Sequence, residues 1–181
     1  MILKPALASL AALSLAACAS VVPSGAARLS SVSPVTTDPA DFAVLLQLPP
    51  GLAVRPGSPQ MALSATRTDT GETSTATYVL EASPPDEAGN RTYRVAPGDY
   101  ASLRAQQSLI ALWKSENERA TSGSLSVGLE GCSLGAGPAP NATVSALVQA
   151  APNQPFIQVL RDVSVAEIAR AAGMEEIRPC S

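Results

Sequence analysis

Proline and glycine interrupt most of this chain, and the longest stretch without them, residues 99–122, has the pattern of a helix. Its 181 residues contain 16 prolines and 12 glycines, and both residue types break regular backbone. Within residues 97–120, however, neither occurs after Gly98. Apolar or long side chains recur there every three or four positions, at Tyr100, Leu103, Gln107, Ile110 and Trp113. This period predicts a helix of about five turns whose apolar stripe packs on a sheet.

The remaining regular segments are short, and most alternate between apolar and polar residues, as strands do. The predicted strands cover residues 42–48, 60–68, 74–82, 92–95, 124–131, 144–149 and 156–163. A short helix is predicted from Ser164 to Ala172, with a Ser164–Glu167 capping box and Ile168 as its core contact. The order predicts an α+β fold: an antiparallel sheet of about six to seven strands with one long and one short C-terminal helix packed on it.

The N-terminus has the layout of an export signal. Lys4 is followed by an apolar run over residues 6–17, which is too short to span a bilayer. Leu15, Ala16, Ala17 and Cys18 then resemble the lipobox of bacterial lipoproteins. The resemblance covers about the first 20 residues. An ordinary signal cleaved after Ala17, with Cys18 incidental, is the alternative.

The lipobox resemblance implies a lipid anchor on Cys18. In such proteins diacylglycerol is attached to the thiol, the signal peptide (here residues 1–17) is removed, and the new amine is acylated, for example with palmitate. Three chains make a lasting anchor, because each buried methylene adds about 0.8 kcal/mol. Ala19, rather than an aspartate, follows the cysteine. By the sorting rule of enteric bacteria this implies the periplasmic face of the outer membrane rather than the inner membrane.

Two further regions follow the anchor. Residues 18–40 are rich in Ser, Pro, Thr, Ala and Gly without strand or helix periodicity, which predicts a lipid-anchored flexible tether. A segment that folds on a partner is the alternative. Residues 41–181 are expected to form a single periplasmic domain.

Cys132 and Cys180 remain once anchoring has used Cys18. In an oxidising compartment an even pair predicts a disulfide, which would fasten the C-terminal tail to the end of the strand at 124–131. A redox-active or nucleophilic thiol is the alternative, but the sequence has neither a Cys-x-x-Cys pair nor a histidine.

Two motifs invite assignments that their surroundings do not favour. Asp69-Thr70-Gly71 spells the aspartic-protease triplet, but it occurs once, between polar flanks, and a hairpin turn explains it. Residues 164–174 resemble the first helix and turn of bacterial repressors. An acidic, proline-containing tail follows instead of a basic recognition helix, so a plain terminal helix is expected.

Composition excludes several function classes. The net charge of −3 and the lack of a basic cluster argue against nucleic-acid binding. The absence of histidine removes His-dependent triads and disfavours a metal site, so no cofactor and no enzymatic activity are expected. An Asp/Glu hydrolase stays open as an alternative.

The function expected from these observations is a structural or interaction module of the cell envelope, bound to the membrane and to an envelope protein that the sequence does not identify. The alternative is a small carrier for an apolar, lipid-like ligand, held between the sheet and the long helix.

Overall fold

The computed structural model describes residues 34–151 and 154–180. Seven antiparallel strands form the main sheet in the order β6-β3-β4-β5-β1-β8-β9, and β2 pairs with β7 in a separate ribbon. The strands are β1 (Ala43–Gln47), β2 (Leu52–Val54), β3 (Gln60–Arg67), β4 (Thr73–Ala82), β5 (Arg91–Val95), β6 (Thr121–Gly128), β7 (Gly131–Ser133), β8 (Thr143–Gln149) and β9 (Ile157–Ser164). The helices are α1 (Tyr100–Glu116) and α2 (Val165–Ala171). The predicted α+β fold is confirmed.

Strand β4 belongs to both halves of the curled sheet. Its residues 73–79 pair with β3, whereas residues 80–82 pair with β5. At this change of partner, the N–H of Val79 donates to the Oδ2 atom of Asp99 at 2.7 Å. Asp99 directly precedes α1, so this bond fixes the start of the helix against the bend of the sheet.

Helix α1 and the sheet enclose the main core. The buried helix residues are Leu103, Gln106, Gln107, Ile110 and Trp113, and the sheet supplies Val44, Leu46, Met61, Leu63, Tyr78, Leu80, Tyr93 and Val95 among others. Two of these five helix residues are amides, and a buried polar group requires hydrogen bonds. The Tyr78 hydroxyl donates to Gln106 Oε1 at 2.6 Å, and Gln106 Nε2 donates to the Leu63 carbonyl at 3.0 Å. Burial also raises the pKa of Tyr78.

Several element boundaries differ from the prediction. The helix ends at Glu116 rather than near Ala120, because Asn117 adopts an extended conformation and a 3-10 turn follows. Strand β6 therefore begins at Thr121 and ends at Gly128, three residues before the predicted strand end at Gly131. The prediction also omitted β2 and β7, whose three residues each are too few to show a period.

The C-terminal helix α2 follows β9 directly and buries Val165 and Ala169. Ile168, the predicted core contact, is 39% exposed. The prediction therefore assigned the wrong face of this helix to the core. The predicted capping box is also not formed, because Ser164 makes no side-chain capping bond. Within the described ranges, no helix is both long and apolar enough to cross a bilayer.

Candidate functional site

The β2–β7 ribbon and the C-terminal tail form a small unit beside the main sheet. Strand β7 pairs with β2 on one side. On its other side Ser133 donates to the Arg178 carbonyl at 2.9 Å and accepts from the Cys180 N–H at 3.0 Å. Cys132 and Cys180 are joined by a disulfide, with their Cα atoms 4.9 Å apart. The bridge therefore holds the tail against β7, not against the end of β6 as the strand prediction implied.

Gly51 allows the ribbon to approach the loop that follows β7. Its φ of +82° lies in the left-handed region, and its carbonyl accepts from the Leu134 N–H at 2.9 Å. A Cβ at this position would collide with the carbonyl oxygen of Gly137. Glycine is thus required here both for its conformation and for its lack of a side chain.

A groove of about 890 Å³ lies between this ribbon and the ends of β4 and β5. Segment 48–57 forms one wall and supplies two adjacent prolines, Pro49 and Pro50. The other side of the groove combines apolar and aromatic residues with one acidic and one basic residue: Val79, Leu80, Glu81, Ala82, Arg91 and Tyr93. A concave site of this size falls in the range of about 300–1,000 Å³ that is typical of ligand-binding pockets.

The charged side chains of the groove sit among apolar ones. Arg55 forms an ion pair with Glu130 (Nε–Oε2, 3.3 Å), and Arg91 donates from Nη1 to the Ser83 carbonyl at 3.5 Å. Glu81 lies on the β4 wall and is exposed. Leu134, at the rim, is 51% exposed. The groove therefore combines an accessible aliphatic surface with charges of both signs.

The space between α1 and the sheet is nearly filled. The hollow there has a volume of about 20 Å³ and is lined by Leu103, Met61 and Leu125 among others. A water molecule needs roughly 10–15 Å³ of such volume. A lipid-like ligand would therefore find room in the groove, whereas this hollow can hold little more than one water.

Residues 34–40 pack on α1, an arrangement that their composition did not suggest. Gln107 Nε2 donates to the carbonyls of Pro34 and Thr37 at 2.8 and 2.7 Å, and Pro39 is fully buried. Asp38 pairs with Arg104 at 2.8 Å. The backbone N–H of Ala40 and then Arg104 hold the pKa of Asp38 below its usual value. The sequence signal for this packing was Gln107, a polar residue within the apolar stripe.

Asp69 lies in the β3–β4 turn, and its carboxylate is held by a basic and an amide side chain. Arg67 Nη2 lies 3.1 Å from Asp69 Oδ2, and Asn117 Nδ2 donates to the same oxygen at 3.0 Å. These hydrogen bonds, Arg67 first, hold the pKa of Asp69 below its usual value. Arg67 also pairs with Glu116 at the end of α1. The arrangement ties the hairpin to the helix, as expected of a structural turn.

The predicted lipidation residue Cys18 and the residues that resemble a lipobox, Leu15, Ala16 and Ala17, lie outside the described residues. Among residues 34–151 and 154–180, no three His, Cys, Asp or Glu side chains are grouped so that they could hold a metal ion. The structure brings together Cys132 and Cys180, and Cys132 pairs with Ala53, which lines the groove that sequence reasoning did not find.

Comparison of the chain with protein-family models, with curated proteins and with solved structures finds no match. The most specific chemical features of the chain itself are the groove and the lipobox-like sequence Leu15-Ala16-Ala17-Cys18.

Proposed function

We propose that this chain is a bacterial envelope lipoprotein, anchored through Cys18 at the periplasmic face of the outer membrane, whose folded body is an interaction module. The support for the anchor is the sequence Leu15-Ala16-Ala17-Cys18 at the end of an apolar run of signal-peptide length. The disulfide between Cys132 and Cys180 fits an oxidising compartment such as the periplasm.

The observation that carries the proposed role is the groove beside the ribbon. An exposed leucine, Leu134, sits at its rim, and exposed apolar surface within a concavity is typical of binding sites. The disulfide and the Gly51 contact hold one wall in place before any partner arrives. Such preorganisation lowers the entropy cost of binding. We propose that a segment of an envelope protein occupies the groove.

Site-specific photocrosslinking in intact cells tests the groove. A photoreactive residue at position 134 should crosslink the full-length protein to a discrete partner. The same residue at position 112 is the matched control, because Leu112 is 54% exposed but lies on α1, away from the groove. Crosslinking from position 112 but not from position 134 would contradict the proposed site.

The anchor is tested separately. Growth with labelled palmitate should mark the wild-type protein and leave the Cys18→Ser variant unlabelled. Label that persists in the variant would exclude Cys18 as the attachment point. Comparing crosslinked partners of the two proteins then tells whether anchoring is needed for partner binding.

A carrier for an apolar ligand is the second candidate, and the volume of the groove favours it. Mass spectrometry of lipid extracted from the purified, unacylated protein distinguishes the two candidates. A stoichiometric ligand that is lost on Leu134→Glu substitution supports the carrier. Protein that purifies without ligand and crosslinks to a partner from position 134 supports the interaction module.

We propose no reaction at the groove. Its charged side chains are Arg55, Glu81 and Arg91. Burial raises the pKa of Tyr93, which also lines the groove, further from neutrality, so this phenol stays protonated at neutral pH.

A further inference from the structure

Strand β6 presents unpaired backbone along one edge of the main sheet. The Thr68 N–H donates to the Ala120 carbonyl just before β6, and this bond sets the phase of the β3–β6 ladder. Hydrogen-bonded and non-hydrogen-bonded residue pairs alternate along an antiparallel ladder. The even-numbered residues of β6 therefore bond to β3, and the odd-numbered ones point their N–H and C=O groups outward. No hydrogen bond from another described residue reaches the outward groups of Gly123, Leu125 or Val127.

This edge lacks the features that normally prevent pairing between chains. Proteins protect edge strands with charges, prolines, bulges or a covering element. The opposite edge, β9, carries Arg161 and Asp162, an irregular register with β8 and a positive φ at Asp162. Residues 121–128 contain no charge and no proline, and they pair with β3 without a bulge.

We propose that the β6 edge pairs antiparallel with the β6 edge of a second copy of this chain, about a two-fold axis through Leu125. In this register, each β6 residue whose N–H and C=O groups point outward lies opposite such a residue in the other copy. Leu125 faces its equivalent, and Gly123 faces Val127. Both chains can therefore exchange hydrogen bonds from Gly123 to Val127, as a two-fold symmetric interface requires.

The charges at the strand ends disfavour the neighbouring register. Glu118 and Glu130 flank β6 and are both exposed. With the axis at Ser124, Glu118 of each copy would face Glu130 of the other, whereas with the axis at Leu125 Glu130 faces Ala120. Like charges opposite one another destabilise a strand pair, so the axis at Leu125 is favoured.

The side chains of the edge also suit a second copy. Val127 is 37% exposed and projects to the same face as Leu125. Opposite Gly123 it would meet no bulky side chain and would lose water-exposed apolar surface. Ser122, Ser124 and Ser126 alternate on the other face, where serines can hydrogen-bond across strands.

Cysteine crosslinking tests the register in the full-length protein. In the proposed pairing Ser124 of one copy faces Ser126 of the other in a pair whose Cα atoms lie about 4.5 Å apart. Co-expressed Ser124→Cys and Ser126→Cys chains with different tags should form a mixed disulfide dimer on mild oxidation. Either variant alone should crosslink several-fold less. Equal crosslinking with and without mixing would overturn the register, and no crosslinking in any combination would overturn the interface.

A proline variant tests the interface without new thiols. The Val127 N–H points outward, so Val127→Pro should remove bonds to the second copy while leaving the β3 ladder intact. Sedimentation of the full-length protein in density-matched detergent should show a dimer whose dissociation constant rises roughly tenfold or more in this variant. Val127→Thr, which keeps the N–H and the branched Cβ, should dimerise as wild type. A monomeric wild type, or a dimer unaffected by Val127→Pro, would overturn the proposal.

Discussion

The two parts of the molecule that lie against the main sheet are held by different forces. Helix α1 packs through large apolar side chains such as Ile110 and Trp113 and leaves a hollow of only about 20 Å³. The β2–β7 ribbon is held by a disulfide, backbone hydrogen bonds and the Gly51 contact. The residues of β2 are only partly buried, and a groove of about 890 Å³ lies beside them.

This difference indicates where a partner or ligand can bind. Close-packed side chains fill a core of this kind and leave little room for a ligand. The β2–β7 ribbon is held by a disulfide and by backbone hydrogen bonds, so its position does not require side chains to pack against the side that lines the groove. An open groove can therefore persist there. The ribbon therefore provides the candidate site, whereas α1 closes the main core.

The largest expected effect concerns the helix side. Trp113→Ala should lower the free energy of unfolding by about 3–5 kcal/mol, because it opens a cavity in the core. Urea denaturation measures the change. The neighbouring exposed residue provides the control: Leu112→Ala should stay within about 0.5 kcal/mol of wild type. Similar losses in the two variants would mean that α1 does not pack as described.

Removal of the disulfide should affect the ribbon first. Cys132 and Cys180 are 48 residues apart, and closing such a loop contributes about 4 kcal/mol in the chain-entropy model, with about 2–4 kcal/mol typical in practice. A Cys132→Ser, Cys180→Ser double variant should show faster amide hydrogen exchange in β7 and the tail than in α1. Uniform acceleration throughout the molecule would show that the ribbon and the core unfold as one unit.

A smaller loss is expected when Gly51 is replaced. Gly51→Ala should cost about 2–3 kcal/mol, since it adds a collision with Gly137 to the penalty of positive φ. Gly89 also has a positive φ, but open space surrounds its Cβ position, so Gly89→Ala should cost only about 1–2 kcal/mol. Thermal melts of the two variants isolate the contribution of the close approach. Equal melting temperatures would argue against this contact.

The smallest effect concerns the ion pair between the hairpin and α1. The pKa of Asp69 lies below its usual 3.8, so its contribution to stability is complete above about pH 4 and is lost as the pH falls through the lowered pKa. Asp69→Asn should lower the melting temperature slightly near neutral pH, and the difference from wild type should shrink at about pH 2. A difference of the same size at both pH values would contradict a stabilising role of the Asp69 carboxylate.

Long, periodic segments could be predicted from the sequence, and short or non-periodic ones could not. The stripe that contains Leu103 and Ile110 predicted α1, and the alternation in residues 60–68 predicted β3, because side chains facing one core repeat at the period of the element. Segment 34–40 was expected to belong to a tether. Its contacts to Gln107 and Arg104 come from distant parts of the chain, and local composition carries no signal for them.

The same distinction applies to function. The sequence by itself determined the α+β fold class, the cysteine pair left once Cys18 is set aside, and the lipobox resemblance, because each depends on residue types at short spacing. Only the tertiary structure decided that β2 and β7 form a ribbon, that a groove opens beside it, and that β6 becomes an exposed edge. These features depend on which distant segments meet, and strands of three residues such as β2 contain too little pattern to specify their partner.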